Sequence, residues 1–395
     1  MALVTTMLPA VEANTYLKAE EVAEANPIII TGGQGAQIKN VIYMIPDGGG
    51  FPSYDIAKAV KKAGQSSMTY DVSTKWTSTN MYLDDYFVGS CTTKSANNSV
   101  TDSAAAGTAL ACGKKTNNGM IGITANGKPI ANLLEMSQLQ GKATGIVVRT
   151  YSSDATPGAF AAHVLDRSSK NEVLNHVASN GINVVLGGCT QNRNKVSAEE
   201  VSKKYDYNLV KTASELDSAS QNKYTDPSTQ LKLWGDFDKG NKETLTFDLE
   251  NKKEDPTLKQ MTEQSINLLK QDKDGFFLMV EGSRIDKAAH EGKISEVATD
   301  WIAFDEAFKV ALDFASKRAD TMIVVVPGAY NANVLTMVDA SLYNSLKYGT
   351  LKEVYSTVVQ PEFFNTTSSR FVAELFKLKQ RLFQLKKKSV ESSLT

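Results

Sequence analysis

The chain has 395 residues, of which 42% are apolar, so it can bury a sizeable core as one large domain or two smaller ones. Its 43 lysines and arginines are balanced by 44 acidic residues, which gives a formal net charge of -1. This balance supplies no positive field that would draw the protein to nucleic acid or anionic lipid, so we expect neither as its main ligand.

The first 38 residues precede the first strong structural pattern. The stretch from Ala2 to Ala10 is mildly apolar, and Val11-Glu12-Ala13 resembles a signal-peptidase site, but no basic segment precedes it. Residues 1–38 are therefore either a clipped signal peptide or an N-terminal tail. No stretch of the chain is apolar and long enough to span a bilayer, so we expect a soluble protein. The widely spaced cysteines, Cys91, Cys112 and Cys189, leave at least one thiol unpaired in any disulfide scheme.

Short apolar runs rich in β-branched residues predict strands that are buried on both faces. The runs are Asn40–Ile45, Ala143–Val148, Ile182–Leu186, Phe276–Val280 and Thr321–Val326. Helical patterns separate them, over Ile130–Gln140, Leu258–Gln271 and Ser295–Ala315. This alternation predicts an α/β fold of three layers, with a central, largely parallel sheet flanked by helices.

Two segments depart from the alternating pattern. Residues 191–256 are polar and charged with little periodicity, which predicts a surface excursion of one domain that extends over residues 39–335. Residues 336–395 form a divergent C-terminal segment. It carries an amphipathic helical pattern at Phe371, Leu375, Leu378, Leu382 and Leu385, which we expect to pack on the domain or on a partner subunit.

The residues that follow each strand are the first candidates for a functional site, because ligands gather at the carboxyl ends of parallel strands. Asp47, Thr156 and Glu281 follow three of the predicted strands, so we expect their oxygen atoms to converge at one edge of the sheet. The fifth strand differs. It is followed by Pro327-Gly328-Ala329-Tyr330-Asn331, which contains no acidic residue or imidazole.

A serine at the start of a helix of small residues is the strongest single motif. Ser103 lies in Val100-Thr101-Asp102-Ser103-Ala104-Ala105-Ala106-Gly107-Thr108-Ala109. Small side chains let a substrate approach the backbone, and a helix N-terminus offers free N-H groups to a phosphate. The alternative is an ordinary helix cap with no further role.

This string resembles the nucleophile motif of alkaline phosphatases, and the resemblance extends from about Lys39 to Val326. Further blocks follow in the order of that family. Asn40–Gly50 resembles its first metal-binding strand and turn, Asp154–Arg167 its magnesium and phosphate block, and Gly275–His290 its central metal block. The resemblance implies hydrolysis of phosphate monoesters to an alcohol and inorganic phosphate through a phosphoserine intermediate.

The resemblance also implies roles for individual residues. Ser103 would be the nucleophile, and Arg167 would clamp two phosphate oxygens with its planar fork. Asp102 would orient that arginine. In the family these groups act with zinc and magnesium ions.

The metal ligands carried over by resemblance fall into two groups. Asp47 would bridge the second zinc and a magnesium ion, while Thr156 and Glu281 would complete the magnesium site, with Asp154 close behind it. The first zinc would be held on one helix face by Asp286 and His290, which are four residues apart. Lys287 is either a residue near the phosphate or a solvated surface lysine. His163 has no ligand role in the resemblance, and we expect it to be structural. His176 is expected to be a surface residue or a helix-packing residue.

The chain departs from the family after the fifth strand. Members carry an Asp-His pair there, which aligns here with Gly328-Ala329 or Ala329-Tyr330, and no histidine follows His290. The missing zinc ligands predict an impaired hydrolase that keeps its magnesium site. The departure suits either a frame disruption or a decayed enzyme that kept its scaffold.

Two alternatives therefore stand beside the hydrolase. One is a non-catalytic protein of the same fold that binds metal or phosphate, and the other is a phosphodiesterase or mutase of the same superfamily. Ser103 and Arg167 favour monoesters by resemblance alone. Members of the family are commonly extracytoplasmic homodimers, which is the location and assembly we expect here.

Overall fold

The computed structural model describes residues 38–65, 81–87, 91–189, 196–222, 231–237 and 255–329. Its strands are β1 (Asn40–Ile45), β2 (Ala143–Tyr151), β3 (Val184–Gly188), β4 (Asn208–Val210), β5 (Leu233–Asp236), β6 (Phe276–Glu281) and β7 (Thr321–Val325). They form one sheet in the order β4-β5-β3-β2-β6-β1-β7, in which each neighbouring pair is parallel. The predicted parallel sheet is confirmed.

The helices of the described residues cover both faces of the sheet. They are α1 (Phe51–Gln65), α2 (Ser103–Cys112), α3 (Leu133–Gln138), α4 (Ala155–Ala159), α5 (Lys170–Ser179), α6 (Ala198–Tyr205), α7 (Ala213–Ser220), α8 (Leu258–Leu269), α9 (Arg284–His290) and α10 (Ile294–Ala315). Helices α1 and α7 to α10 pack on one face, and α2 to α6 pack on the other. The three-layer α/β fold is therefore confirmed.

Strand β1 shows why the central runs are almost continuously apolar. Its side chains alternate between the faces, so Ile42 and Met44 join the core under α1 and α10, while Tyr43 and Ile45 join the core under α2 to α6. Both faces are covered, and all four side chains are buried. Helix α10 meets its face of the sheet through Trp301, Phe304, Phe308 and Ala311, at spacings of three and four residues.

Most predicted elements have the expected position, with small shifts at their ends. The third strand begins two residues later than predicted, at Val184. The helix predicted from Ile130 begins at Leu133, because Asn132 caps it and shares a reciprocal pair of hydrogen bonds with Glu135. Helix boundaries follow such caps more closely than they follow apolar periodicity.

The prediction that residues 191–256 only cover the surface was wrong for part of that segment. Strands β4 and β5 extend the sheet there, and Leu233 and Trp234 of β5 are fully buried. The run is four residues long and contains Gly235, so it lacks the β-branched pattern that identified the longer strands. The domain bounds remain a prediction.

Residues 1–37 and 330–395 lie outside the described residues, so the tail or signal peptide and the C-terminal amphipathic helix remain predictions. Over the part of the chain that is described, no helix combines the length and apolar character needed to cross a membrane. Among the described residues, Cys91, Cys112 and Cys189 form no disulfide bond, and Cys112 and Cys189 are buried.

Candidate active site

Three neighbouring central strands deliver the predicted oxygen donors to one edge of the sheet. Residue Ile45 of β1 pairs with Glu281 of β6, and Glu281 also pairs with Val148 of β2. Asp47 lies in the turn that directly follows β1. Thr156 lies in α4, the first helix after β2. These strands are adjacent, so Asp47, Thr156 and Glu281 converge as predicted, and all three are buried.

Helix α2 places Ser103 against this edge. The Asp102 side chain caps the helix by accepting a hydrogen bond from the Ala105 N-H at 2.9 Å. Ser103 Oγ donates a hydrogen bond to Asp47 Oδ2 at 2.9 Å in a buried setting. Gly107 of α2 permits the close packing of α2 on α4, because a Cβ on Gly107 would lie only 3.0 Å from Ala159 of α4. The cap and the predicted nucleophile therefore coexist in one short motif.

The turn after β1 is shaped by a glycine that no other residue could replace easily. Gly48 has φ +71°, and a Cβ built on it would lie 2.5 Å from the Asp286 backbone. This close approach brings Asp47 beside Asp286. Burial, followed by the negative charge of Asp286, raises the pKa of Asp47 to about 7.

Two carboxylates hold the guanidinium of Arg167 next to α2. Its NH1 lies 3.2 Å from Asp102 Oδ2, and its NH2 lies 3.4 Å from Asp154 Oδ1. The Gly119 N-H donates to the same Asp102 oxygen at 3.0 Å. Asp102 thus caps the helix with one oxygen and contacts the Arg167 guanidinium with the other.

Asp154 is surrounded by cations. Besides Arg167, its Oδ1 lies 2.8 Å from Lys170 Nζ, and its Oδ2 lies 3.3 Å from Lys287 Nζ. Burial acts to raise the pKa of Asp154, but the positive charges of Lys287, Lys170 and Arg167 outweigh it and hold that pKa well below its ordinary value. Lys287 is therefore ion-paired with Asp154, and its side chain is 28% exposed. Sequence reasoning missed Lys170, although its spacing of three residues from Arg167 could have suggested it.

The residues predicted to hold magnesium fit a hard divalent cation. Glu281 is buried and accepts side-chain hydrogen bonds from Thr156 and Ser283, yet its Oε2 atom has no hydrogen-bond partner among the described residues. Burial, followed by the nearby charges of Asp47 and Asp154, raises the pKa of Glu281 well above its ordinary value. Two buried carboxylates and a hydroxyl are the oxygen ligands that magnesium prefers.

The residues predicted to hold zinc fit that metal poorly. Asp286 and His290 share a face of α9, with His290 Nε2 3.5 Å from Asp286 Oδ2, but the His290 side chain is 62% exposed. Across the described segments, no group of three or more His, Cys, Asp and Glu side chains is arranged to hold a metal ion. Zinc sites in proteins use three or four such ligands.

The backbone after β7 occupies the place where further ligands would be expected. Ala329 N-H donates to Asp47 Oδ1 at 2.8 Å, and Gly48 N-H donates to the Ala329 carbonyl oxygen at 2.7 Å. A Cβ built on Gly328 would lie 2.3 Å from Asp47 Oδ1, so no larger side chain fits there in this conformation. Tyr330 and Asn331 lie outside the described residues.

The two remaining histidines, His163 and His176, lie next to each other. His163 Nδ1 lies 2.6 Å from the Gly122 carbonyl oxygen, and its Nε2 lies 2.8 Å from Glu135 Oε1. The His176 ring packs edge-on against His163, with 6.4 Å between ring centroids.

Comparison with known proteins identifies the family. The family model for alkaline phosphatase matches residues 38–343. Alkaline phosphatase 4 of Bacillus subtilis is 33% identical over 338 residues, which cover 82% of this chain and 67% of the relative. The repressible alkaline phosphatase of Saccharomyces cerevisiae is 32% identical over 313 residues, which cover 73% of this chain and 54% of the relative. The chain belongs to the alkaline phosphatase family.

Solved structures agree with this family assignment. The cold-active alkaline phosphatase of a psychrophilic Shewanella species superimposes with a TM-score of 0.62 at 25% identity, covering 87% of this chain and 84% of that one. The Thermus thermophilus alkaline phosphatase gives a TM-score of 0.64 at 26% identity, covering 79% and 63%. A variant of the TAB5 enzyme, solved with magnesium bound, gives 0.61 at 25% identity, covering 75% and 79%. The matched region spans 67% of the length of the Bacillus subtilis relative and 54% of the length of the Saccharomyces cerevisiae relative.

Proposed function

We propose that this chain hydrolyses phosphate monoesters through a phosphoserine formed on Ser103, at a rate limited by the missing zinc ligands. One observation carries the proposal. The Ser103 hydroxyl lies at a helix N-terminus, 2.9 Å from the buried Asp47 carboxylate. Arg167 is held beside the same helix by Asp102 and Asp154.

The first half of the reaction is a transfer of the phosphoryl group. Ser103 Oγ loses its proton and attacks the phosphorus atom, the bond from phosphorus to the ester oxygen breaks, and the ester oxygen takes up one proton and leaves as an alcohol. Asp47 Oδ2 accepts the hydrogen bond from Ser103 and orients its oxygen. Arg167 binds two phosphate oxygens through its planar fork, and the N-H groups at the start of α2 favour the developing negative charge.

The second half is hydrolysis of the phosphoserine. A water molecule loses one proton as its oxygen attacks the same phosphorus atom, the bond to Ser103 Oγ breaks, Ser103 Oγ regains a proton, and inorganic phosphate leaves. Arg167 and the start of α2 serve this step through the same contacts, because the phosphoryl group keeps its position. Asp47, Thr156 and Glu281 would hold magnesium, which would neutralise the buried carboxylates beside the serine.

A second candidate function is binding of phosphate without turnover. The observation that favours it is the Ala329 N-H on Asp47 Oδ1, since a backbone amide stands where the family has further ligands. Asp286 and His290 supply only two of the three or four ligands that a zinc ion requires. On this hypothesis the fold retains the phosphate and magnesium contacts but hydrolyses no ester.

Substrate range, location and assembly follow from family membership. The groups proposed to bind substrate, Arg167 and the start of α2, would bind its phosphate and not its alcohol part, so we propose broad use of phosphate monoesters. Relatives named as alkaline phosphatases occur in Bacillus subtilis and Escherichia coli, and we propose an extracytoplasmic homodimer by analogy. Zinc and magnesium are the proposed metals, with magnesium the better bound.

The test is hydrolysis of a chromogenic aryl phosphate at alkaline pH with added magnesium and zinc, compared with Ser103→Ala. We expect the variant to lose on the order of a thousandfold or more of the rate, because removal of a nucleophile leaves only binding contributions. If wild type and Ser103→Ala turn over equally, the hydrolase proposal is wrong. Binding of inorganic phosphate by calorimetry then decides the second candidate, which requires saturable binding without turnover.

A further inference from the structure

Lys170 makes a contact in the site that neither the sequence motifs nor the proposed mechanism uses. Its Nζ lies 2.8 Å from Asp154 Oδ1, and its side chain is only 14% exposed. Asp154 is itself buried, with an 11% exposed side chain. A lysine seldom loses this much solvent without a specific partner.

The same carboxylate oxygen is shared between Lys170 and Arg167. Arg167 NH2 lies 3.4 Å from Asp154 Oδ1, which is long for a contact between opposite charges, whereas the Lys170 contact has the usual length. The Ala155 N-H also donates to this oxygen, at 2.8 Å. Asp154 Oδ1 is therefore well supplied with donors before Arg167 approaches it.

A tight turn brings the two cations to one oxygen. Arg167 N-H donates to the Gly119 carbonyl oxygen at 2.8 Å, and Ser168 N-H donates to Asp166 Oδ1 at 2.8 Å. Lys170 is the first residue of α5 and lies three positions after Arg167. Arg167 lies in the turn just before α5, so the turn and the first residue of the helix bring both side chains to Asp154.

We propose that Lys170 is a positioning residue for the phosphate site, which satisfies Asp154 and so keeps the Arg167 guanidinium available to the substrate. This inference rests on the proposed phosphate chemistry of Arg167. Arg167 lies 3.2 Å from Asp102 and 3.4 Å from Asp154, and both contacts are longer than the 2.8 Å contact between Lys170 and Asp154. Its remaining N-H groups can then serve the two phosphate oxygens.

Loss of the lysine would change the balance between the two carboxylates. Asp154 would retain a buried negative charge with one partner fewer, and Arg167 NH2 is the nearest donor that could move toward it on the same oxygen. If the Arg167 guanidinium moved toward Asp154, its two parallel N-H groups would be less well placed to bind two phosphate oxygens. The expected result is weaker phosphate binding in a folded protein.

The experiment measures the affinity of the full chain, with magnesium, for inorganic phosphate by calorimetry in Lys170→Met, Lys170→Arg and wild type. Methionine retains the apolar length of the side chain and removes its charge. We expect Lys170→Met to bind phosphate about tenfold more weakly, as is usual when a supporting contact behind a ligand-binding residue is lost. Lys170→Arg should stay close to wild type. Lys309→Met is the matched control, because Lys309 is ion-paired to Asp313 in the C-terminal half of α10.

A double-mutant cycle with Asp154→Asn tests whether Lys170 acts through Asp154. In the Asp154→Asn background the proposal requires Lys170→Met to have little further effect on phosphate affinity. An undiminished effect would show that Lys170 contacts phosphate directly, which overturns a positioning role. Equal affinities of wild type and Lys170→Met would also overturn it. Absence of phosphate binding by wild type would instead contradict the proposed function.

Discussion

The two sides of the site differ in how they are built. The serine side consists of Ser103, Asp102, Arg167 and Asp154, and each of these side chains is held by at least one partner at 3.4 Å or less. The β7 side consists of Pro327, Gly328 and Ala329, and it meets the site through its backbone: the Ala329 N-H donates to Asp47, and the Ala329 carbonyl oxygen accepts from the Gly48 N-H. One side presents charged groups that suit a phosphate, and the other presents only backbone.

This difference means that the proposed phosphate contacts and the zinc ligands expected after β7 depend on separate parts of the fold. The serine side is built from α2, α4 and the turn before α5, which lie together on one face of the sheet. The β7 side depends on the residues that follow β7, which is an edge strand of the sheet. Loss of ligands after β7 can therefore leave the serine side intact, because the two share only Asp47.

The largest effect that would break the comparison is expected at Arg167. Arg167→Lys keeps a positive charge but loses the planar fork, so affinity for inorganic phosphate should fall about 10- to 100-fold, equivalent to roughly 1.5 to 3 kcal/mol for a lost charged hydrogen bond. Calorimetry with phosphate measures it. The matched control is Arg318→Lys. Arg318 donates two hydrogen bonds to Asp320, each at 2.9 Å, just before β7 begins, whereas the site lies beyond the end of that strand.

Equal losses in the Arg167 and Arg318 variants would show that the serine side is not the phosphate site. An unchanged affinity in Arg167→Lys would show that charge alone, without fork geometry, accounts for its contribution. Either result would remove the contrast between a side that is specific for phosphate and a side that is not.

A smaller effect, on stability, tests the β7 side. Gly328→Ala should destabilise the protein by about 1 to 3 kcal/mol, because the added Cβ would lie 2.3 Å from Asp47 Oδ1 in a closely packed turn. At a position with free space the same change usually stabilises a protein. The sign of the change in the free energy of unfolding, measured in urea, therefore reports whether Gly328 lies against Asp47.

The same measurement is repeated with Gly328→Ala in a protein that also carries Asp47→Ala. Removing the carboxylate makes room for the new methyl group, so the cost of Gly328→Ala should largely disappear there. A cost that persists in the Asp47→Ala background would place the obstruction elsewhere. A stabilised Gly328→Ala protein would mean that the β7 side does not close over Asp47.

Sequence reasoning succeeded where the relevant signal is local. The buried central strands and the oxygen donors after them follow from apolar runs and from the rule that parallel strands end at one edge. The Asp102 to Ser103 motif is likewise contiguous. It failed for β5, where Trp234 is buried in a strand of four residues, and for Lys170, whose role depends on a contact with Asp154 across a turn.

The contact of Ala329 with Asp47 could not be predicted in principle from those patterns. The sequence shows only that Gly328 and Ala329 carry no ligand groups. That the Ala329 N-H reaches Asp47 Oδ1 depends on the register of β7 beside β1, in which Met44 pairs with Val325. Register is a property of the assembled sheet, and a shift of one residue would direct a different group at Asp47.

The smallest expected effect concerns a histidine that supports the serine side. His163 binds the Gly122 carbonyl oxygen and the Glu135 carboxylate, both of which accept hydrogen bonds, so the ring satisfies both only when both nitrogens carry protons. The same loop reaches the site, because Gly119 N-H donates to Asp102. The hydrogen bond with Glu135 raises the pKa of His163, although partial burial acts to lower it. Burial acts to raise the pKa of Glu135, but hydrogen bonds with His163 and Asn132 outweigh burial and lower that pKa.

These shifts give the stability contribution a defined pH window. The raised pKa of His163 means that its contribution is complete below the ordinary value of 6.5 and is lost as pH rises through the folded-state pKa. The lowered pKa of Glu135 means that its contribution is complete above the ordinary value of 4.5 and is lost as pH falls through its folded-state pKa. We therefore expect His163→Gln to cost about 1 kcal/mol near pH 6 and less at pH 9, by urea unfolding. Glu135→Gln should reduce the same pH dependence, and an equal cost of His163→Gln at both pH values would show that the imidazolium form does not secure this loop.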